Sequence, residues 1–308
     1  SEFRLYKHIE ETLYEISPDL IMVHGGQFLS IISVTKYLRQ NRCKAVIDYH
    51  SDEYNSANNL LSKYILHRLL WRFLSKKTSK YFNKIYYVAP SVRDFVVKNY
   101  HVDTKKLEFL PLGADYDEIQ RIRNSEIDIR KIVRDRHNIS YDSVVFIHGG
   151  KINQKKNTNQ LLLAFHKVRQ KYDNCYLFIF GQKENCFDLG EFKDGVIYLR
   201  WLTPAQIYEY YLASDVAVFP GSQSVLWQQA IASGLPLICK YWAGCEYLDL
   251  GGNVFFLEKE NSDYLANLMA KFIQFPMLRT EMGRISNDNG KVIFSYREIA
   301  GRLIEDNA

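Results

Sequence analysis

Residues 144–165, VVFIHGGKINQKKNTNQLLLAF, restrict the possible folds of this chain more than any other stretch. The apolar run from Val144 to His148 reads as a buried strand and the pair Gly149-Gly150 ends it. A loop carrying Lys151, Lys155 and Lys156 follows, then a helix with Leu161, Leu162, Leu163 and Phe165. A strand that ends in glycine and feeds a helix is where an open α/β sheet binds phosphate, because glycine lets the backbone approach and the helix start presents free N–H groups. The lysines add positive charge beside that position, so a phosphate-bearing ligand is the first expectation. An ordinary strand-to-helix turn with solvated lysines has the same local pattern.

The alternation continues along the chain. In the first half, apolar runs at Leu20–Val23, Ala45–Tyr49, Ile85–Val88 and Leu107–Leu110 read as strands separated by helical segments, the signature of parallel βαβ units. Ligands of such sheets sit beyond the carboxyl ends of the strands, where His24-Gly25-Gly26 and His50-Ser51-Asp52 fall. His50 is the stronger candidate because Asp52 could orient it, although strand-end histidines can equally do no more than satisfy nearby backbone groups. In the second half, strands at Cys175–Phe180, Val196–Leu199, Asp215–Phe219, Leu235–Cys239 and Val254–Leu257 join the opening one.

A charged stretch from Asp117 to Tyr141 separates the halves, and 308 residues suffice for two domains. The expected fold class is α/β, with two Rossmann-like domains. Residues 1–138 form a partial N-terminal domain, incomplete because only four strands can be counted. Residues 139–288 form the second domain, and a C-terminal helix in 289–308 is expected to pack back toward the first. The usual size of such a domain suggests a fragment lacking roughly its first 70 residues.

Charged residues at 24% and hydrophobic ones at 47% belong to a globular chain. The net charge of +5 arises from basic and acidic residues mixed along the sequence, so it does not by itself argue for nucleic acid, and no nucleic-acid partner is expected. Five cysteines without metal-like spacing (Cys43, Cys175, Cys186, Cys239, Cys245) read as reduced thiols of a cytoplasmic protein. From Asn58 to Tyr81, Arg68, Arg72, Lys76 and Lys80 recur every fourth residue beside a broad apolar surface containing Trp71. A helix lying on the anionic inner face of a membrane has this pattern, and so does a packed helix with a solvated basic edge.

Several short motifs occur in one order across some 150 residues: Gly150-Lys151 with Lys156 and Leu162-Leu163-Ala164-Phe165, then Ala213-Ser214-Asp215, Phe219-Pro220-Gly221, Gln229 to Ile238 (QAIASGLPLI), and Phe294-Ser295-Tyr296. In this the second half resembles the C-terminal domain of retaining glycosyltransferases of the GT-B fold, family four in particular. The first half resembles that family more loosely, through its strand-end histidines and Leu112-Gly113-Ala114-Asp115.

The resemblance implies a metal-independent hexosyltransferase-like enzyme without a cofactor, using a nucleotide-sugar donor and a glycan or lipid-linked acceptor in bacterial surface polysaccharide biosynthesis. It implies that Lys151 and Lys156 face the donor diphosphate and offset the charge growing on the leaving group. Gly149, Gly150, Gly181, Trp201, Leu202, Ser222, Gln223, Ser224, Val225 and Gln229 would bind the donor, with the base near Trp201 and Leu202. His24, Gly25, Gly26 and Asp52 would lie on the acceptor side, with His50 catalytic beside the two lysines. One departure bears on activity. Where the family has two glutamates separated by seven residues, the second falls on Gln229, or on Gln228 with a shift of one, and the first near Gly221 to Gln223. A neutral amide binds ribose hydroxyls less strongly than a carboxylate. A non-catalytic GT-B protein that binds a nucleotide sugar or partners an active transferase therefore stays open, as does a nucleotide-sugar 2-epimerase.

Overall fold

Helix and strand alternate throughout the computed structural model, which describes residues 5–53, 69–184 and 192–307. The chain divides into two units, one of Ser1–Pro111, Ala243–Cys245 and Gly301–Ala308, the other of Leu112–Trp242 and Glu246–Ala300.

The first unit contains α1 (Ile9–Ile16), β1 (Leu20–His24), α2 (Ile31–Gln40), β2 (Lys44–Tyr49), α3 (Arg72–Thr78), β3 (Lys84–Tyr87), α4 (Pro90–Tyr100) and β4 (Leu107–Phe109). All four strands are parallel, in the order β1-β2-β3-β4. Ala45, Val46, Ile47, Ile85 and Tyr86 are fully buried, because strands flanked by neighbours on both edges keep both faces dry. The chain end also belongs here. The Asn307 amide donates to the Tyr86 hydroxyl at 3.2 Å, and Lys84 pairs with Asp306 at 3.2 Å.

The second unit contains α5 (Tyr116–Arg123), α6 (Ile129–Arg136), β5 (Val144–Gly149), α7 (Thr158–Arg169), β6 (Cys175–Phe180), β7 (Val196–Arg200), α8 (Pro204–Ala213), β8 (Val216–Phe219), α9 (Leu226–Ala232), β9 (Leu237–Lys240), β10 (Val254–Leu257), α10 (Ser262–Gln274), α11 (Pro276–Ile293) and the start of α12 (Tyr296–Glu305). Its six parallel strands run β10-β9-β8-β5-β6-β7. In order of appearance this is 6-5-4-1-2-3, the doubly wound arrangement, and the direction of winding reverses between β5 and β8. On α7, Leu161, Leu162, Ala164, Phe165 and Val168 are buried whereas Leu163 is exposed, since a 3.6-residue period turns one leucine of the three away from the sheet.

Three expectations need correction. The boundary expected at residue 138 lies at Leu112, because α5 and α6 belong to the second unit. Arg134 explains why: its fully buried guanidinium donates to the carbonyls of Ala213 (2.9 Å), Tyr141 (2.8 Å) and Ser143 (2.7 Å) and to Asp215 (2.8 Å). Asp215 also accepts from Arg130 at 2.7 Å and from the Val145 amide at 2.7 Å, which ties α6 to the rim of the sheet. The charges that read as a linker are thus partly a buried network. The C-terminal segment expected to pack back toward the first domain is divided: 301–308 belong to the first unit, whereas 289–300 belong to the second. Finally, of the basic helix expected over 58–81, residues 58–68 lie outside the described ones. Beyond them α3 ends at Thr78 and a 3-10 turn, Ser79–Tyr81, takes Lys80 off the helical register. No helix among the described residues is long and apolar enough to cross a membrane.

Candidate functional site

In the second unit the carboxyl ends of β5, β6 and β8 bring three loops together, and glycine is what allows it. A Cβ on Gly181 would lie 1.9 Å from the Gly150 carbonyl oxygen, and one on Gly221 would lie 2.3 Å from the Lys156 backbone carbon. Gly150 and Gly181 also adopt φ of +116° and +121°, which side chains other than hydrogen rarely allow. Gly149 is enclosed by the Phe180 ring. The Gly150 amide donates to Phe180 O at 3.1 Å, and the Ser222 amide to Lys155 O at 2.9 Å. Backbone therefore packs on backbone across the winding reversal, where doubly wound sheets place their ligands.

Lys156 sits at the centre of this arrangement. Asn153 accepts from its backbone N–H at 3.1 Å and caps the 3-10 turn Gln154–Lys156, aiming the side chain across to the β8 loop. There the half-buried ammonium donates to the carbonyls of Ser222 (2.8 Å) and Gln223 (3.0 Å). Burial pulls its pKa down to about 8, and no carboxylate opposes that pull among the described residues. A cation held by carbonyl dipoles alone is poised for an anion. Lys151 follows Gly150 directly and is exposed, as is Lys155. His148, one residue before the glycine pair, is fully buried; its Nδ1–H donates to Val218 O at 2.8 Å. Burial is the main reason its pKa falls to about 4, so it stays neutral and ties β5 to β8.

The remaining donor-side candidates separate into two groups. Gln228 is buried: with its amide assigned to satisfy every partner, the oxygen accepts from the Tyr247 hydroxyl at 2.8 Å while the nitrogen donates to Ser224 O at 3.1 Å and Val225 O at 3.3 Å. Gln229 lies on the neighbouring, half-buried face of α9. Ser224 accepts from the Leu226 amide at 3.4 Å and opens the helix, with Val225 between them.

At the other end, an open cleft of about 550 Å³ is lined by Gly181, Gln182, Lys183, Tyr198, Arg200 and Trp201. Trp201 is 75% exposed at its lip, whereas Leu202 is buried and does not line the cleft. The Tyr198 hydroxyl donates to Gly181 O at 2.8 Å, and Lys183 Nζ lies 4.3 Å from the Tyr198 ring centroid. Gly221, Tyr198, Lys183 and Arg200 were not among the sequence candidates. Only Gly221 carried a signal, as the glycine directly after Phe219-Pro220.

The first unit carries its own cluster. The parallel register of β1 and β2 sets His24 opposite Asp48, and His50 lies two residues beyond Asp48 on the same side of its strand. Asp48 Oδ2 lies 2.7 Å from His24 Nδ1 and 3.0 Å from His50 Nε2, while its Oδ1 accepts from the Gly25 amide at 2.9 Å. Burial works to raise the Asp48 pKa, but hydrogen bonds and charge from His50, and then from His24, outweigh it and hold the carboxyl below its usual range. The carboxylate beside His50 is therefore Asp48 rather than Asp52, which is itself buried and accepts from Ser91 at 3.5 Å. Gly26 leaves room for the Tyr49 hydroxyl, which a Cβ would approach to 2.6 Å. An apolar groove of about 420 Å³, lined in part by Ile9, Leu13, Ile21 and Val23, has His24 at its rim.

The family model of the glycosyl transferases group 1 matches residues 129–288, just over half of the chain. The chain belongs to that family. Among curated relatives, an uncharacterized glycosyltransferase of Methanocaldococcus jannaschii is 25% identical over 188 residues, 59% of this chain and 43% of that protein. The alpha-monoglucosyldiacylglycerol synthase of Streptococcus pneumoniae is 25% identical over 162 residues, 49% of this chain and 36% of that protein. The chain thus spans less than half the length of either. The solved structure of Anabaena HepE in complex with UDP aligns with a TM-score of 0.71 at 12% identity, over 97% of this chain and 80% of that one. It shares with this chain the GT-B architecture of two Rossmann-like units.

Proposed function

We propose that the chain is the working part of a metal-independent, retaining glycosyltransferase that takes its sugar from a nucleotide-sugar donor. The observation that carries this reading is the half-buried Lys156 ammonium at the winding reversal, its pKa drawn down to about 8 and its bonds, among the described residues, made only to the carbonyls of Ser222 and Gln223. A donor diphosphate supplies the missing negative charge, with Lys151 the second cation. As the bond from C1 to the diphosphate oxygen breaks, charge grows on the leaving group and the two ammonium groups stabilise it in a partly dry site. The glycines at 149, 150 and 181 let the diphosphate reach the backbone. The cleft at Tyr198 to Trp201 takes the base, and Gln229 the ribose. His50, held by Asp48, serves the acceptor.

A UDP complex of a protein with the same fold supports a nucleotide donor. The name of the pneumococcal relative and the apolar groove at His24 favour a lipid-linked acceptor over a free glycan, and with it a place at the cytoplasmic membrane face. The glutamines at 228 and 229 favour a second reading, a donor-binding protein without turnover.

The test is a panel of nucleotide sugars with lipid and glycan acceptors, the anomer of any product assigned by NMR. Transfer with retained anomeric configuration is the expected outcome. An inverted product would refute the retaining mechanism. No turnover, together with donor-dependent thermal stabilisation, would replace the enzyme with the binding protein.

A further inference from the structure

We infer that His24, Asp48 and His50 form a binding site for a divalent late first-row transition metal, Zn²⁺ being the natural occupant. The three side chains offer one ligand atom each (Nδ1, Oδ2 and Nε2), and these atoms all lie within 4.8 Å of one another. The two nitrogen-to-oxygen separations are 2.7 and 3.0 Å. Zinc bonds of ~2.0–2.2 Å in tetrahedral geometry need ligand atoms about 3.3 Å apart, so the two nitrogen–oxygen pairs must open by roughly 0.3–0.6 Å and the two imidazole nitrogens, within 4.8 Å of each other, must settle at that same spacing. The two imidazoles can make that adjustment, since their side chains are 72% and 44% exposed, whereas Asp48 is 5% exposed and anchored.

The anchoring is the second argument. Asp48 Oδ1 accepts from the Gly25 amide, leaving Oδ2 directed between the two histidines, the outer-shell support that orients a ligating carboxylate. Imidazole nitrogens with one carboxylate suit zinc, cobalt, nickel or copper better than magnesium or calcium, which take oxygen ligands. Three protein ligands leave a coordination position open to water or a ligand oxygen. The ion is distinct from the donor diphosphate, whose charge the lysines offset. If His50 serves the acceptor as proposed above, metal on Nε2 competes with that role, and zinc then inhibits transfer.

Metal binding itself is independent of the transferase reading, and its test measures metal, not turnover. The protein, with its thiols reduced, is titrated with Co²⁺ and followed by visible absorption, then displaced with Zn²⁺. The expected result is one equivalent bound with nitrogen and oxygen ligation. His24→Gln, a change at an exposed side chain that leaves the fold intact, should weaken binding at least tenfold. Asp48→Asn, checked for folding by circular dichroism, should do the same. An absence of saturable binding, an unchanged affinity in His24→Gln, or the near-ultraviolet charge-transfer bands of cysteine ligation would each overturn the proposal.

Discussion

Replacing Lys156 with arginine should abolish a pH dependence that the lysine imposes on donor binding. The ammonium has a pKa of about 8 in the free protein because burial disfavours its charged form and, among the described residues, no carboxylate opposes that. An ammonium beside a bound diphosphate regains its proton affinity, so the charged form is the one that binds. The sign follows directly: raising the pH through 8 depletes the competent form and weakens binding. The charged fraction falls from about 0.9 at pH 7 to about 0.09 at pH 9, and apparent affinity falls with it, about tenfold or ~1.4 kcal/mol. Arginine keeps its charge across this range, so K156R should lack that slope even if its absolute affinity is lower, the planar guanidinium being a poor match for the two carbonyls. Isothermal titration at pH 7, 8 and 9 with the tightest of UDP-, GDP- and ADP-sugars reads the effect. Ionisation of the nucleobase is common to both proteins and cancels in their comparison. Lys155→Ala, at an exposed side chain, should follow the wild type. Equal slopes for wild type and K156R would refute the assignment of the buried charge to donor binding.

Gly181→Ala forces a Cβ to within 1.9 Å of the Gly150 carbonyl at a φ of +121°, so both loops must shift. We expect a loss of roughly 2 kcal/mol or more in urea unfolding and at least tenfold weaker donor binding; wild-type affinity would show that the close approach is unimportant. His148 has a folded-state pKa near 4, below the unfolded ~6.5, so the unfolded chain gains a proton first on acidification and stability is lost as pH falls. Between pH 6.5 and 4.5 this amounts to about 2 kcal/mol, and His148→Gln should remove that part of the slope in urea midpoints. Arg134→Met leaves several buried carbonyls without their donor and should cost ~3–5 kcal/mol, whereas a loss under 1 kcal/mol would contradict the network seen around Asp215.

The strands were legible because buried parallel strands are short apolar runs. β6 and β10 fall at the expected residues, and the remaining strands differ by one or two positions at their ends. The lysine-bearing loop after the glycine pair was legible too, and within it only the resemblance to the family's pattern singled out Lys156; the family model covers that segment. What escaped was whatever depends on a partner distant in sequence. Arg134 and Asp215 look like surface charges in their own segments, yet they meet 81 residues apart in the interior. His50 has an acidic residue two positions away on either side, and local sequence does not say which one faces it. The choice of Asp48 follows from strand alternation together with the pairing of β2 with β1.

The amino-acid sequence alone therefore determined the class of fold, the glycine-ended strand that precedes α7, and the lysine-bearing loop between them, because periodicity and spacing are properties of neighbours along the chain. Only the tertiary structure decided that Lys156 is held by the β8 loop, that Gly221 brings that loop against it while Gly181 brings the β6 loop against Gly150, and that His24, Asp48 and His50 share one oxygen. Those are properties of strand order and register, and strand order is set by which apolar surfaces bury each other, not by which residues follow one another.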